Sequence, residues 1–231
     1  MDSLYTYDSP SEQADRLAAS VAEELKSAIQ SKGRALMAVA GGTTPAPFFE
    51  RLSRIDLDWT KVIVTTTDER VVPSDTSRSN ALLVRDNLMV NNAAGAKFLP
   101  LYDDEPSAES AAENASSNLL DLLPLDVCVL GMGADMHTAS LFPGTPGLEE
   151  AISPDCPDLV LSLIPPTADE PRLTLTLPVL LGASHLHILI IGSDKLDALN
   201  KAQTINSVLE APITSIFPHK GLKIHYAEKA G

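Results

Sequence analysis

The sequence has few basic side chains and no long apolar run. It has 17 Lys and Arg against 31 Asp and Glu, so the formal net charge is −14. Nucleic acids and anionic membrane surfaces repel such an acidic protein, and we expect neither as a main partner. No apolar run approaches the roughly 18 residues that a membrane span needs. The segment 1–5 also lacks the basic and apolar regions of a signal peptide. We therefore expect a cytoplasmic protein.

Cysteine is scarce, and the potential metal ligands are dispersed. Cys128 and Cys156 show neither C-x-x-C spacing nor a metal pattern, which excludes a disulfide framework. His185 and His187 share one face of a predicted strand, but no third ligand lies at suitable spacing, so we predict no metal site. Aromatic residues make up only 4% of the chain, yet hydrophobic residues make up 44%. This is enough for a core, and we predict a single domain over residues 1–231.

Short apolar runs alternate with amphipathic or capped segments along the chain. The pattern predicts helices at residues 10–31, 45–54, 77–91, 107–122 and 194–203. Thr44 is expected to cap the second helix. The apolar runs predict strands at residues 35–40, 62–66, 125–130, 159–163, 173–177, 186–191 and 222–226, with a short apolar segment at 98–101. Strands that alternate with helices predict an α/β fold, a mainly parallel sheet flanked by helices.

Four polar loops each follow a predicted strand: residues 41–45, 68–70, 131–137 and 192–195. Ligands of open α/β sheets bind at the carboxyl ends of the strands, where such loops lie. Residues 131–133 resemble the start of a dinucleotide fingerprint, but Met136 occupies the third glycine position and no suitable acidic residue follows the next strand. We therefore do not predict a nicotinamide cofactor.

The first and third loops contain the residues best suited to bind an anion and to move a proton. Gly41, Gly42 and Thr43 join a strand to a helix, where free N–H groups favour anions, although the loop is equally explained as a tight turn. His137 lies two residues after Asp135, and a nearby carboxylate can orient a histidine that acts as a general base. The alternative is a structural histidine that caps the following helix.

Cationic side chains of three further segments are candidate phosphate ligands. Asp68 and Arg70 end one strand, although an exposed mixed-charge turn is the commoner explanation of such residues. Arg172 precedes another strand and would reach the same edge of the sheet if that strand is antiparallel. Lys195 lies in the first turn of a helix, where the dipole disfavours a cation unless an anion binds there.

Five segments together resemble the 6-phosphogluconolactonases of the glucosamine-6-phosphate isomerase/6-phosphogluconolactonase family. They are AGGTTP at 40–45, DERVVP at 68–73 with Asn80, GMGADMHTASLFPG at 131–144, RLTLTLP at 172–178 and GSDK at 192–195. The related deaminases have Asp-Glu-Tyr at the second segment and a glutamate five residues after their histidine, where this chain has Arg70 and Phe142. The lactonase pattern usually has glycine at the position of Met136, where it would permit a positive φ.

The resemblance implies a modified doubly wound sheet, as in the glucosamine-6-phosphate deaminase-like fold. It also implies hydrolysis of 6-phosphoglucono-1,5-lactone without a cofactor, by a monomer or small homo-oligomer. The predicted catalytic residues are His137 with Asp135 or Asp68, between which the sequence does not decide. The predicted substrate-binding residues are Gly41, Gly42, Thr43, Arg70, Asn80, Gly133, Arg172 and Lys195. A deaminase-like isomerase and a non-catalytic sugar-phosphate sensor are the alternatives, but the chain has no basic helix-turn-helix segment outside the domain.

Overall fold

The structure, a computed structural model, describes residues 3–229, so the four terminal residues of the predicted single domain lie outside it. The described chain contains ten strands: β1 Leu4–Tyr7, β2 Ala35–Val39, β3 Val62–Thr66, β4 Asp68–Arg70, β5 Lys97–Phe98, β6 Val127–Gly131, β7 Val160–Leu163, β8 Arg172–Leu175, β9 His185–Ile191 and β10 Leu222–Ala227. It also contains seven α-helices: α1 Pro10–Lys32, α2 Ala46–Ser53, α3 Asn80–Asn87, α4 Ala108–Leu120, α5 Leu148–Ala151, α6 Leu177–Leu181 and α7 Ser193–Ala202. None of these helices is long and apolar enough to span a bilayer.

Seven of the strands form a parallel sheet in the order β1-β10-β9-β6-β2-β3-β5. The predicted α/β fold is confirmed. From β2 the chain proceeds to β3 and β5 on one side, whereas β6, β9 and β10 lie on the other. The order therefore reverses between β2 and β6, and open α/β sheets bind ligands at such a switch point. Strand β1 was not predicted; it is short and lies at the edge, beside β10.

Two hydrophobic clusters cover the faces of this sheet. One contains the apolar face of α1 and the aromatic side chains Phe48, Phe49 and Trp59. The other contains residues of α4, α6, β7 and β8. Strand β2 is buried along its whole length, and its residues alternate between the two clusters. Such burial on both faces explains why the central strands are continuous apolar runs.

A second, antiparallel sheet has the order β4-β8-β7. We predicted Asp68–Arg70 as a loop, but it is a strand paired with β8, in which Arg70 lies opposite Arg172. The conditional expectation for Arg172 is thereby met, since β8 is antiparallel to β4. The pairing is formed by residues about 100 positions apart, and a charged triplet carries no local strand signal.

Helix α1 begins where its capping residue predicts, whereas α2 and α3 begin later than predicted. Ser9 caps α1 by accepting a hydrogen bond from Glu12 N at 3.1 Å. We predicted Thr44 as the cap of α2, but the helix begins at Ala46 after Pro45, so Thr44 lies one residue too early. Helix α3 is shorter than the predicted 77–91: Ser79 caps it by accepting a hydrogen bond from Leu82 N at 3.2 Å, and the N–H of Asn80 donates to a carboxylate of another element, described below.

A buried chain of hydrogen bonds connects α1 with β9, β10 and β1. Tyr7 Oη lies 2.7 Å from His225 Nδ1, and His225 Nε2 lies 3.0 Å from His187 Nδ1. Glu24 Oε2 lies 2.7 Å from His187 Nε2, and Lys223 Nζ donates to Glu24 Oε1 at 2.8 Å. Both ring nitrogens of His187 therefore have a protein partner. Among residues 3–229 no group of three or more His, Cys, Asp or Glu side chains is arranged to hold a metal ion.

The pKa values of His225 and Glu24 in this hydrogen-bonded chain are both lower than their usual values. Burial, with the charges of His187 and Lys223, lowers the pKa of His225 from 6.5 to about 3. Burial alone would raise the pKa of Glu24, but His187 and Lys223 outweigh it and lower this pKa from 4.5 to about 2. Each group therefore binds protons more readily in the unfolded chain. The stability that His225 contributes is present above pH 6.5 and is lost as the pH falls towards 3; that of Glu24 is lost below 4.5.

Between about pH 6.5 and pH 4.5 the shift of His225 should dominate the acid dependence of stability. Where His225 is protonated in the unfolded state and neutral in the folded state, each unit of falling pH lowers the free energy of unfolding by about 1.4 kcal/mol. We expect His225→Gln to flatten this dependence in denaturant titrations at several pH values. His219→Gln is the control, because His219 lies outside this chain of side chains and contacts backbone groups, the carbonyl of Ala183 at 2.7 Å and the N–H of Gly221 at 3.1 Å. Equal slopes for wild type and His225→Gln would contradict the assignment.

Candidate active site

A cavity of about 200 Å³ lies at the switch point, at the carboxyl ends of β2 and β6. Its walls come from two glycine loops, residues 41–45 after β2 and residues 131–137 at the end of β6. Residues of β4, β8 and the first turn of α7 also line it. The predicted site residues that line it are Gly41, Gly42, Asp68, Arg70, Asn80, Gly133, His137, Arg172 and Lys195. Segments that are up to 154 residues apart in sequence, from Gly41 to Lys195, thus meet at one edge of the sheet.

Asn80 connects the first glycine loop with β4. Its Nδ2 donates to the backbone carbonyl of Asp68 at 2.8 Å. A Cβ on Gly41 would lie 1.9 Å from Asn80 Oδ1, so only glycine permits this close approach. The absence of a side chain at Gly41 therefore allows the amide of Asn80 to lie against the loop.

Glu69 fixes α3 against β4. Its carboxylate, 2% exposed, accepts hydrogen bonds from the backbone N–H groups of Arg70, Asn80 and Ala81 at 2.8, 2.8 and 2.6 Å. Burial raises the pKa of Glu69, although these N–H groups act in the opposite direction. Our sequence analysis missed Glu69 as a site residue. Its place between two cavity-lining residues was the only available signal, since its partners on α3 are non-local.

His137 and Asp135 form a hydrogen-bonded pair. His137 Nδ1 lies 2.5 Å from Asp135 Oδ1, which also accepts from the backbone N–H of His137 at 3.3 Å. Burial would raise the pKa of Asp135, but the hydrogen bond and charge of His137 outweigh it and lower that pKa. Because Nδ1 is engaged, Nε2 is the nitrogen available to the cavity that His137 lines.

Asp68 is not the partner of His137. Its Oδ2 accepts a hydrogen bond from Ser140 Oγ at 2.7 Å, and its Oδ1 accepts from Thr67 Oγ1 at 3.2 Å. The side chain is buried but lines the cavity. Of the two carboxylates that the sequence left open, the structure therefore places Asp135 on the imidazole, whereas Asp68 binds Ser140 and Thr67.

Two guanidinium groups form the cationic part of the cavity. Arg70 and Arg172 are opposite residues of β4 and β8, and both Nε atoms are buried without a hydrogen-bond partner among residues 3–229. Burial, together with the charge of Arg70, lowers the pKa of Arg172. Glu170 Oε1 lies 3.8 Å from Arg172 Nη2. Paired cations with unused donors are suited to a bound anion, whose charge would relieve their repulsion.

Lys195 and Thr43 differ in their relation to the cavity. Lys195 lies in the first turn of α7, as predicted, and contributes a third cation to the lining. Thr43 is exposed and does not line the cavity, because the chain turns at Gly42 (φ 83°) and places Thr44 and Pro45 there instead. Thr43 is the one predicted binding residue that the structure places away from the cavity.

Comparison with known proteins gives the family. Residues 8–225 match the model of the family described as glucosamine-6-phosphate isomerases/6-phosphogluconolactonase. The chain belongs to this family. A 6-phosphogluconolactonase of Rhizobium meliloti (strain 1021) is 45% identical over 227 residues, 97% of this chain and 98% of the relative. The resemblance inferred from the five segments is thereby confirmed.

Solved structures of this family show the same fold. A 6-phosphogluconolactonase from Shewanella baltica OS155 is 34% identical, with a TM-score of 0.93 over 98% of this chain and 97% of that one. A monomeric glucosamine-6-phosphate deaminase is 18% identical, with a TM-score of 0.80 over 97% of this chain and 96% of that one. At 18% identity the likeness to the deaminase concerns the fold alone.

Met136, which precedes His137 and stands where the family resemblance predicts glycine, has a left-handed backbone. Met136 has φ 68° and Ala139 has φ 48°, so two non-glycine residues with positive φ flank His137. The Met136 side chain is buried in the hydrophobic cluster under the loop, and that packing offsets the cost of its conformation, about 1 kcal/mol or more. The substitution by methionine therefore keeps the turn.

Gly133 controls the histidine–aspartate pair by leaving space for it. A Cβ at this position would lie 2.1 Å from His137 Nδ1 and 2.2 Å from Asp135 Oδ1. We therefore expect Gly133→Ala to break the pair and to release the imidazole from its single tautomer. Nitrogen-15 NMR of the His137 ring would detect this change.

Gly131→Ala is the matched control in the same loop. Its new Cβ would have Ala40 Cβ as nearest neighbour at 3.8 Å, an ordinary contact. This variant should retain the Nδ1-protonated ring. A Gly133→Ala protein with wild-type ring resonances would contradict the role given to Gly133.

Proposed function

We propose that this protein hydrolyses 6-phosphoglucono-1,5-lactone to 6-phosphogluconate, a step of the oxidative pentose phosphate pathway, without a cofactor. The observation that carries the proposal is that His137, hydrogen-bonded to Asp135, lines one cavity together with three cationic side chains. A phosphorylated lactone needs both a base for water and cations for its phosphate. The names of relatives that match nearly the whole chain support the same reaction. Cytoplasmic location, oligomeric state and the absence of a nucleic-acid partner stay predictions.

His137 acts as the general base. With Nδ1–H donated to Asp135, Nε2 carries a lone pair and takes a proton from water as the water oxygen attacks the lactone carbonyl carbon. The tetrahedral intermediate then expels the ring oxygen, which receives the same proton from His137. Asp135 holds the tautomer and stabilises the imidazolium that forms between the two steps. A lactone is reactive towards water, so this apparatus requires no covalent enzyme intermediate.

The first glycine loop supplies donors for the oxyanion. No backbone carbonyl of residues 3–229 accepts from the N–H groups of Gly41 and Gly42, which line the cavity. Gly133 is different, because its N–H already donates to the carbonyl of His137 at 2.9 Å. We therefore assign oxyanion stabilisation to the first loop and a steric role to Gly133.

The remaining cavity residues bind the rest of the substrate. Arg70, Arg172 and Lys195 hold the 6-phosphate, which also meets the positive end of α7. Asp68, fixed by Ser140, accepts hydrogen bonds from a sugar hydroxyl. Asn80 holds the glycine loop in place beside them.

The central assignment predicts that His137→Ala loses the catalysed reaction. Removal of a general base lowers kcat by about 10²- to 10⁴-fold. We also expect Asp135→Asn to lower kcat more than Asp68→Asn does, because of these two carboxylates only Asp135 contacts the imidazole of His137. Initial rates on the lactone, corrected for spontaneous hydrolysis, measure this in variants whose circular dichroism matches wild type.

Undiminished kcat in a folded His137→Ala protein would overturn the assignment. The same preparations should be tested for release of ammonia from glucosamine 6-phosphate. Deaminase activity without lactonase activity would establish the alternative reaction, and phosphosugar binding without turnover of either compound would establish a sensor.

A further inference from the structure

An aromatic side chain outside the cavity lining is stacked on the catalytic imidazole. The rings of Phe142 and His137 have centroids 3.8 Å apart and planes inclined by 21°. A tight turn produces this contact: Thr138 and Leu141 form an isolated β-bridge, with Leu141 N donating to Thr138 O at 2.9 Å. The chain after the turn therefore returns over His137.

The surroundings of Phe142 are not those of a core residue. It is half-buried, and among residues 3–229 it belongs to neither hydrophobic cluster nor to the apolar side chains packed against them. The Phe142 ring instead stacks on the imidazole of His137 and lies under the guanidinium of Arg172, whose Cζ is 5.4 Å from the ring centroid. Packing of the core therefore does not explain an aromatic residue here.

The stack supplies a restraint that the hydrogen bond to Asp135 lacks. One hydrogen bond at Nδ1 fixes the direction of a single ring atom, and the imidazole can still rotate about that direction. A flat ring at 3.8 Å restricts the plane of the imidazole. The two contacts together determine where Nε2 points, and an error of about 1 Å in that position costs up to roughly 100-fold in rate.

We propose that Phe142 is a positioning residue for lactone hydrolysis, which aligns the His137 base by stacking on its imidazole. This inference rests on the proposed function, in which His137 activates water. The contact with Arg172 is secondary, since Glu170, two residues before β8, also lies near that guanidinium, with Oε1 3.8 Å from Arg172 Nη2. Loss of the Phe142 ring should therefore affect kcat more than KM.

The test compares Phe142→Leu with Phe142→Tyr, which keeps a stacking ring. We expect Phe142→Leu to lower kcat about tenfold with KM within about twofold of wild type, and Phe142→Tyr to retain wild-type kcat within about twofold. The ring protons of His137 should show the same upfield NMR shift in wild type and Phe142→Tyr, and should lose it in Phe142→Leu. Phe142→Met provides a second non-aromatic variant should the leucine variant not fold.

Three results would overturn the proposal: wild-type kcat in a non-aromatic variant, a loss in Phe142→Tyr equal to that in Phe142→Leu, or a loss confined to KM. The His137→Ala variant separates this failure from failure of the proposed function. Wild-type activity that depends on His137 but not on Phe142 contradicts the positioning role alone. A wild-type protein without lactonase activity contradicts the proposed function, and the positioning role fails with it.

Discussion

The parallel pairing of β2 with β6 is the constraint on which the site depends. Backbone hydrogen bonds place Met37 beside Val127 and Val39 beside Val129, and this ladder brings the two glycine loops together at the ends of the strands. Both strands are buried by apolar side chains, so a shift of register would expose hydrophobic surface. The hydrophobic core thereby determines the distance between the loop of Gly41 and the loop of His137, which begin about 90 residues apart in sequence.

The second sheet places cationic side chains at this edge of the parallel sheet. Pairing of β4 with β8 places Arg70 opposite Arg172, and Glu69 connects β4 to α3 through three backbone N–H groups. Cations are thus concentrated in one cavity of a chain with a net charge of −14. The net charge of the whole chain affects its solubility and determines which charged partners it repels. The electric field inside a cleft depends mainly on the charged groups that line the cleft. An acidic protein can therefore bind a phosphorylated substrate.

Local pattern was sufficient for some of this architecture. Apolar runs with strand or helix periodicity predicted the parallel sheet, Ser9 predicted the start of α1, and the five motif segments predicted the family. These features depend on residues that are adjacent in sequence or one helical turn apart.

Non-local contacts were beyond sequence reasoning. The strand character of Asp68–Arg70 depends on β8, and Glu69 binds the first N–H groups of α3 from another element, beside the local Ser79 cap. The choice between Asp135 and Asp68 depends on the path of the loop around Gly133. Thr43 lies outside the cavity because the chain turns at Gly42.

The central claim is that one cavity joins a histidine base to a phosphate-binding cluster of cations. It is tested most directly by the ratio of kcat/KM for 6-phosphoglucono-1,5-lactone to that for glucono-1,5-lactone, which has no phosphate. Because charge-assisted hydrogen bonds contribute about 1.5–3 kcal/mol each, the account predicts a ratio of about 100 or more that falls as salt is added. A ratio near one would contradict it.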